Sequence, residues 1–319
     1  MTTIPIITLD AIQASLSNAD ILDAVKAALI SQSRNEVISP PPGQLLFDDP
    51  KGDCHIKYGY FIGGDTYVVK VASGFYDNPK QGLPVNNGIM MVFNAKTGAP
   101  VCILDDKGWL TNIRTAAAGA LAAQAGAPSN ISSLGIIGAG EQAELQAKWT
   151  CELLDITSVN VYGRTPSRVK DYASRLEQAG INVTIAPDIP TLLQSCNLVI
   201  TTTPSNEALI LADDVRPGTH IVAMGTDSPG KQELDAALFQ RATVIMVDDH
   251  DQCVHHGDLG HAVRDGLVSE DADIALGSVL AGQSPGRTSD DDITIVDLTG
   301  IAAEDMAVAG LVWSRVSLE

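Results

Sequence analysis

The stretch Leu134-Gly-Ile-Ile-Gly138-Ala-Gly-Glu-Gln-Ala143 decides the fold. A short apolar run enters a G-x-G-x-x-A turn, and a helical pattern then continues to about Leu153. In such a turn Gly138 permits the tight bend, Gly140 lets a pyrophosphate approach the backbone, and Ala143 lets the helix pack closely on the strand. The helix start offers unpaired N–H groups to the phosphates. The stretch therefore predicts a dinucleotide site.

Downstream of this turn, strand-like apolar runs alternate with helical patterns. Such alternation favours a parallel sheet covered on both faces, and right-handed crossovers make it an α/β, Rossmann-type doubly wound domain. We predict that this nucleotide-binding domain spans residues 121–299. The predicted strands after the turn are Ser158–Tyr162, Asn182–Ala186, Leu198–Thr202, His220–Met224, Thr243–Val247 and Thr294–Asp297.

Upstream of the turn, the pattern predicts a helix followed by antiparallel strands, which is an α+β domain. Ile21, Val25 and Leu29 fall at helical spacing behind the capping types Asn18 and Asp20. The domain covers residues 1–120 and is completed by a C-terminal helix at 300–319. Its other predicted elements are strands at 54–61 and 66–72, a hairpin at 89–104 and an Ala-rich helix from Thr111, as its cap, to Ala125.

Composition excludes several classes of protein. The 319 residues include 20 Lys and Arg against 39 Asp and Glu, and this net charge of −19 would repel nucleic acid. The sequence lacks an apolar run near eighteen residues and a secretory signal pattern at its start, so we expect no membrane segment. Five scattered cysteines without a CxxC pair favour a reducing, cytoplasmic location.

The end of the second strand of the nucleotide domain bears on the choice of dinucleotide. It carries no acid for the ribose hydroxyls; instead Arg164, Thr165 and Ser167 stand there. These residues favour NADP(H) through a 2′-phosphate, whereas NAD(H) remains the alternative if Arg164 stacks on adenine or faces solvent. We assign further cofactor contacts to Ala139, Glu141, Gln142, Thr202, Met224 and Gly225.

Arg114 is the second signal, in the first turn of the Ala-rich helix. In a chain with so few cations, a semi-buried Arg suits two-point capture of a substrate carboxylate. The same residue would also fit a structural ion pair.

Four segments taken together resemble the ornithine cyclodeaminase/μ-crystallin family, in order and spacing over nearly the whole chain. They are residues 111–118, 138–143, 224–234 and 295–300. Residues 70–79 and 285–288 look most like the branch that contains the ectoine-utilisation protein EutC. The resemblance implies a homodimer in which the split α+β domain binds substrate and forms the dimer.

The resemblance also implies a reaction. It is NAD(P)(H)-dependent hydride transfer at the α-carbon between a small 2-amino acid and its 2-imino or 2-oxo acid, as in imine and ketimine reductases or amino-acid dehydrogenases. Two alternatives stay open: a cyclodeaminase-type ammonia lyase that uses bound NAD catalytically, and a non-catalytic binder of NADP(H) and a small ligand.

Individual roles follow from the resemblance. Arg114 would grip the substrate carboxylate, and Lys70 would lie near the carboxylate or the reacting nitrogen. Asp227 would be the acid or base at the amine, so these three are the predicted catalytic residues. Asn87 would lie beside the substrate, and Thr299 and Gly300 would lie near the nicotinamide.

One segment departs from the family pattern. Many members have an Arg aligned with Pro40–Gly43, where this chain has only prolines and a glycine. Lys57, on the same strand face as His55, would replace that Arg or bind a second anionic group on the substrate, or would be an exposed strand Lys. The change argues against ornithine cyclodeamination itself.

Histidines and aspartates are crowded between residues 248 and 261. Such side chains suit zinc. The resemblance instead implies a helix near the cofactor here, with Gly257-Asp258-Leu259 matching a family pattern. We therefore predict no metal site.

Overall fold

A computed structural model describes residues 3–317 of the chain. The chain divides into two compact units, one formed by the residues up to Thr115 with those from Ile301 onward, and the other by Ala116–Gly300. The sequence pattern predicts these boundaries at residues 120 and 300. No helix in residues 3–317 is long and apolar enough to cross a membrane.

The elements of the first unit come from both ends of the chain, and its last internal helix continues into the second unit. They are β1 (Ile6–Thr8), α1 (Leu9–Ser15), α2 (Asn18–Ser33), β2 (Val37–Ile38), β3 (Gly43–Asp48), β4 (Lys51–Phe61), β5 (Thr66–Phe75), β6 (Asn86–Asn94), β7 (Pro100–Asp105), α3 (Trp109–Gly126) and, after the second unit, α11 (Ala302–Val316).

The sheet of the first unit has the order β1-β7-β6-β5-β4-β2, with β3 also paired to β4. From β4 to β7 the neighbours are antiparallel, as the hairpin pattern predicted. Their register aligns Lys57, Lys70, Met90 and Leu104 in one row. Directly paired residues point to the same face, and Met90 and Leu104 are fully buried. Helix α11 lies against β4, β5 and β6, and so covers this face.

The second unit alternates strands with helices. Its elements are β8 (Leu134–Ile137), α4 (Glu141–Leu154), β9 (Ser158–Tyr162), α5 (Pro166–Gln178), β10 (Asn182–Ile185), α6 (Ile189–Ser195), β11 (Leu198–Thr201), β12 (Asn206–Ile210), β13 (His220–Ala223), β14 (Gln232–Leu234), α7 (Ala236–Arg241), β15 (Val244–Val247), α8 (His250–His256), α9 (Asp258–Arg264), β16 (Asp273–Ala275), α10 (Leu276–Leu280) and β17 (Thr294–Asp297).

Eight of these strands form one parallel sheet in the order β10-β9-β8-β11-β13-β17-β15-β16. The chain runs outward from β8 in both directions, which is the arrangement of a doubly wound Rossmann-type sheet. Strands β8, β11, β13 and β17 are buried throughout, as expected for a parallel sheet covered on both faces. The predicted fold class is confirmed.

Both helix caps in the first unit differ from the sequence interpretation. Ser17, rather than Asn18, caps α2, and it forms a capping box with Asp20. Helix α3 begins at Trp109, so Thr111 lies inside it, and the Asp106 carboxylate accepts a hydrogen bond from the Leu110 N–H at 2.9 Å. Strand β3 was not predicted, because Leu45, Leu46 and Phe47 are consecutive apolar residues that do not alternate with polar ones.

Candidate active site

The Gly-rich turn has the geometry that its sequence predicted. Gly138 has φ +135°, in the region that favours glycine, and a Cβ there would lie 2.3 Å from Thr202 Oγ1. The Gly138 N–H donates to the Tyr162 carbonyl at 2.9 Å, and the Thr202 N–H donates to the Ile137 carbonyl at 2.9 Å. The turn is therefore fixed to the ends of both neighbouring strands.

Gly140 caps the N-terminus of α4, and a Cβ at this position would meet no atom within 4 Å. Glu141 and Gln142 form the first residues of the helix, and Ala143 is fully buried beneath them. Ala139 lies against Gly163, where a Cβ would come within 3.3 Å of the Ala139 Cβ. A bare backbone in front of a helix N-terminus fits a dinucleotide pyrophosphate.

Arg164, Thr165 and Ser167 lie at the tip of β9 and the start of α5. All three are exposed. Thr165 is the N-cap residue of α5, but its side chain accepts no capping hydrogen bond from the helix. This leaves a hydroxyl and a guanidinium beside the first turn of a helix, where an anionic group is favoured.

The other predicted cofactor residues lie in loops at the carboxyl edge of the sheet. Two buried acids that the sequence analysis did not assign to the site hold these loops. Glu233 accepts a hydrogen bond from the N–H of Gly225, the residue after Met224, at 2.8 Å. Asp248 accepts hydrogen bonds from the Thr299 and Gly300 N–H groups at 3.0 and 2.6 Å. Burial raises the pKa of both carboxyls. Glu233 lies inside the segment 224–234 and Asp248 in the His- and Asp-rich segment, but neither pattern shows that the carboxylate faces the main chain.

Lys57 and Lys70 face each other across β4 and β5, and both side chains are buried. The exposed alternative for Lys57 is therefore wrong. Lys70 Nζ lies 2.7 Å from Asp305 Oδ2 on α11. Burial, together with the charges of Arg114 and Lys57, lowers the pKa of Lys70 to about 7 even though Asp305 opposes the shift. Lys70 thus changes its protonation state near neutral pH.

Arg114 joins the same cluster. Its Nη1 donates to Glu304 Oε2 at 2.7 Å and its Nε donates to Asp305 Oδ1 at 2.9 Å. The side chain is therefore part of a buried ion pair, which is one of the two roles that the sequence allows. The other role, binding of a substrate carboxylate, stays a prediction. Glu304 and Asp305 were missed, since they stand about 190 residues away and looked like ordinary acids near a helix start.

Asp106 is a further buried acid of the first unit that the sequence analysis did not single out. Its Oδ2 accepts the Leu110 N–H and so holds the first turn of the helix that carries Arg114. Burial raises its pKa to about 6, while backbone hydrogen bonds and the Lys70 charge oppose the rise. Asp106 is therefore an acid that titrates close to the range of Lys70.

Two predicted residues stand outside this cluster. Asn87 is exposed, and its pairing with Ser73 places it on the sheet face opposite to Lys70. Asp227 lies in the second unit, where it is exposed and forms an ion pair with Lys231. Their predicted roles beside the substrate stay predictions.

The His- and Asp-rich segment uses its acids on the backbone. Asp248 and Asp258 accept main-chain N–H groups, and His250 Nδ1 lies 2.9 Å from Asp273 Oδ1. Over residues 3–317, no three His, Cys, Asp or Glu side chains are grouped to hold a metal ion.

The chain is similar to proteins of known name over nearly its full length. It is 36% identical over 295 residues to an uncharacterised cyclodeaminase of Sinorhizobium fredii, covering 92% of this chain and 88% of that protein. It is 35% identical over 312 residues to an alanine dehydrogenase of Archaeoglobus fulgidus, covering 97% and 94%.

Two solved structures share the fold. An archaeal alanine dehydrogenase dimer with bound NAD superposes with a TM-score of 0.89 at 33% identity, covering 99% of this chain and 96% of that one. The iminosuccinate reductase of Paracoccus denitrificans in complex with NAD+ gives a TM-score of 0.87 at 29% identity, covering 99% and 97%.

The family model of ornithine cyclodeaminase and mu-crystallin matches residues 5–319, so the match takes in the Gly-rich turn, the buried cations and α11. With relatives above 30% identity over nine-tenths of the sequence, the chain belongs to the ornithine cyclodeaminase/mu-crystallin family.

Proposed function

We propose that this chain is an NAD(P)(H)-dependent oxidoreductase that interconverts a small 2-amino acid and its 2-imino or 2-oxo acid by hydride transfer at the α-carbon. One observation carries the proposal. Of the Lys and Arg residues in the described chain, the three that are buried are Lys57, Lys70 and Arg114, and all three belong to one cluster. Glu304 and Asp305 balance part of this positive charge, and a cluster this rich in buried cations suits the addition of a substrate carboxylate.

The residues of this chain bind the substrate and manage its proton. Arg114 and Lys70 hold the carboxylate, and the arriving negative charge raises the pKa of Lys70, so that Lys70 takes up a proton on binding. Asp227 holds the proton that is exchanged at the amine or imine nitrogen, because a protonated imine accepts hydride more readily. The dinucleotide, when bound, supplies or accepts the hydride.

A panel of imino acids tests the proposal. The purified chain is mixed with NADPH or NADH and with the imines that ammonia forms with pyruvate and oxaloacetate, and with a cyclic 2-imino acid. We expect loss of absorbance at the reduced nicotinamide band with at least one of them. If neither cofactor is oxidised with any substrate while binding persists, the chain is a binder of cofactor and ligand and the proposal fails.

The pKa of Lys70 predicts a pH dependence. Lys70 is protonated below about pH 7 and neutral above it, so carboxylate binding should weaken as the pH rises through this value. We expect KM for the imino acid to rise from pH 6.5 to 8.5 and Lys70→Arg to flatten that rise, because Arg stays charged. Initial rates at saturating cofactor measure it. An unchanged profile in the variant would remove Lys70 from carboxylate binding.

We propose NADP(H) as the preferred dinucleotide, supported by exposed Arg164, Thr165 and Ser167 at the tip of β9. An Arg–phosphate contact is worth about 1.5–3 kcal/mol, which is a factor of roughly ten or more in affinity. Arg164→Ala should therefore raise the Kd for NADPH about tenfold and leave that for NADH unchanged, as measured by nicotinamide fluorescence. Equal changes for both cofactors would assign Arg164 to adenine or ribose contacts and favour NAD(H).

Cyclodeamination is a second candidate, favoured by Asp227 and by the Sinorhizobium fredii relative. A lyase would release ammonia from ornithine, lysine or 2,4-diaminobutyrate without net change at the nicotinamide band. Pro40–Pro42, where many members of the family have an Arg, argues against it. Ammonia assays beside the absorbance assay separate the two reactions.

We also propose a homodimer in the cytoplasm. The face of the first unit's sheet opposite to Lys57 carries half-exposed apolar side chains on β4 to β7, and Leu45 on β3, which pairs with Cys54 on that face, is 55% exposed. A contiguous apolar face of this kind marks an association surface, and an archaeal alanine dehydrogenase of similar fold is a dimer. Sedimentation at micromolar concentration tests the dimer. The five free, buried cysteines support a reducing compartment.

A further inference from the structure

Four buried acids lie at or beyond the carboxyl edge of the second unit's sheet, and the proposed reaction uses none of them directly. They are Glu233, Asp248, Asp258 and Asp297, and each is at most 4% exposed. Burying four carboxyls close together is costly unless each of them is hydrogen-bonded, above all in a protein with a net charge of −19. The hydrogen bonds of these acids go mainly to main-chain N–H groups, among them those of the loops that follow the strands.

Glu233 joins the loops that follow two neighbouring strands. Its Oε1 accepts the Thr203 N–H at 2.5 Å, beyond β11. Its Oε2 accepts the Thr201 hydroxyl at 2.7 Å and the Gly225 N–H at 2.8 Å, beyond β13. The packing is tight, since a Cβ on Gly225 would lie 2.6 Å from Glu233 Cδ. One carboxylate therefore sets the spacing of the loops that contain Thr202, Met224 and Gly225.

Asp258 lies directly behind Glu233. Its Oδ1 accepts the N–H groups of Glu233 and Leu234 at 2.8 and 2.9 Å, whereas its buried Oδ2 accepts no hydrogen bond from residues 3–317. Three donors shared between both oxygens stabilise the ionised form of Glu233, whereas Asp258 receives its two main-chain donors on Oδ1 alone, which leaves Oδ2 as the atom where a proton fits. The hydrogen bonds thus place the negative charge on Glu233 and the proton on Asp258.

The electrostatics agree with this assignment. Burial, and next the Glu233 charge, raise the pKa of Asp258 to about 7, although the Leu234 and Glu233 N–H groups and the Thr226 side chain oppose the rise. Burial also raises the pKa of Glu233, but its hydrogen bonds oppose the rise. The buried titratable groups beside the pair are Asp297 at the end of β17, Asp248 after β15 and the Cys253 thiol on α8, and the Asp258 charge contributes to raising the pKa of Asp297. The partly buried His261 lies on α9 with Asp258, and its Nε2 is 2.9 Å from the Lys231 carbonyl oxygen, two residues before Glu233. A proton on Asp258 relieves the repulsion within the pair.

We propose that Glu233 is a positioning residue for the dinucleotide, that it acts through the Thr203 and Gly225 backbones, and that protonated Asp258 keeps it in place. This inference rests on the proposed function, because it concerns the cofactor loops of that same site. It makes cofactor affinity depend on the proton of Asp258: ionisation above neutral pH puts a second negative charge against Glu233 and strains both loops.

Glu233→Gln tests the positioning role. The amide keeps the shape but presents N–H groups to main-chain donors, so at least one loop loses its bond. We expect the Kd for the dinucleotide to rise at least tenfold, while KM for the imino acid at saturating cofactor changes less than twofold. Glu207 is an exposed residue of β12, so Glu207→Gln is the matched control and should change neither value. A purely structural role would lower the melting temperature and leave the Kd of the folded protein unchanged, which would overturn the proposal.

Asp258→Asn tests the proton and also decides the question if Glu233→Gln does not fold. Asn reproduces a protonated carboxyl, so the variant should bind cofactor as the wild type does at pH 6. The wild type should bind the dinucleotide several-fold more weakly at pH 8.5 than at pH 6, whereas the Kd of the variant should change little between these pH values. Comparing the two proteins at the same pH cancels any effect of titration of the dinucleotide itself. Equal pH dependence in both proteins would overturn the proposal. Failure of the wild type to bind either dinucleotide would instead overturn the proposed function.

Discussion

Replacing Arg114 with Lys is expected to lower kcat/KM for the imino acid about a hundredfold or more while the chain stays folded. The guanidinium contacts Glu304 and Asp305 through separate nitrogens and can present a further face to a carboxylate. A single ammonium cannot satisfy both acids and the substrate. Losing one or two charge-assisted hydrogen bonds, each worth about 1.5–3 kcal/mol, corresponds to a loss of this size. Steady-state rates over a range of imino acid concentrations measure it.

A surface pair supplies the control for this variant. Arg175 on α5 lies 2.6 Å from Glu144 through its Nε, but its side chain is 46% exposed. Arg175→Lys should leave kcat/KM unchanged. If Arg114→Lys retained the wild-type kcat/KM, Arg114 would be a purely structural partner of α11 and the carboxylate would have to bind elsewhere.

Replacing Asp305 with Asn should produce the largest loss of stability in the first unit. Asp305 is buried and pairs with both Lys70 and Arg114, so its loss leaves two buried cations with one charged partner fewer. Breaking a buried ion pair in this way costs about 3 to 5 kcal/mol in the free energy of unfolding. Urea denaturation near pH 6.5 measures the difference. Asp65→Asn, which removes an exposed pair with Lys96, is the control and should show no measurable change.

The same variant predicts a pH dependence of stability. Burial alone would raise the pKa of Asp305, but the charges of Arg114, Lys70 and Lys57 outweigh it and lower the pKa below its ordinary value. The pair therefore stabilises the chain fully above about pH 4, the ordinary value of an unfolded Asp, and loses this contribution on acidification. The gap between wild type and Asp305→Asn should narrow below pH 4. A gap that stays constant would show that the lost stability comes from packing.

The second unit could be predicted well from the sequence because its determinants are local. Gly138 and Gly140 specify the turn within a few residues, and the apolar runs specify strands buried on both faces. The bounds of β9 and β17 agree with the predicted Ser158–Tyr162 and Thr294–Asp297. The strands β12, β14 and β16 were missed, since each contains polar residues and lacks the continuous apolar run that marks the buried strands β8, β11 and β13.

The site could be predicted only in part, because its acids are non-local. Lys70 and Arg114 were found through motifs, but their partner Asp305 acts across almost two hundred residues of chain. Glu233 stood inside a recognised motif, yet nothing in the sequence shows that a carboxylate points back at the main chain of two loops. Such roles become visible only when strands separated in sequence are placed side by side.

Because helix α11 follows the second unit in the chain, the first unit cannot be completed until the second unit has been synthesised. The ribosome makes Lys70 and Arg114 first, then the second unit, and the two acids that pair with them only after that unit. Until those last residues emerge, the nascent chain holds cations in a sheet that has no cover, and its nucleotide domain can fold first. A chain that stops before Ala302 would therefore keep the Gly-rich turn but lack the acids that complete the buried cluster of the first unit.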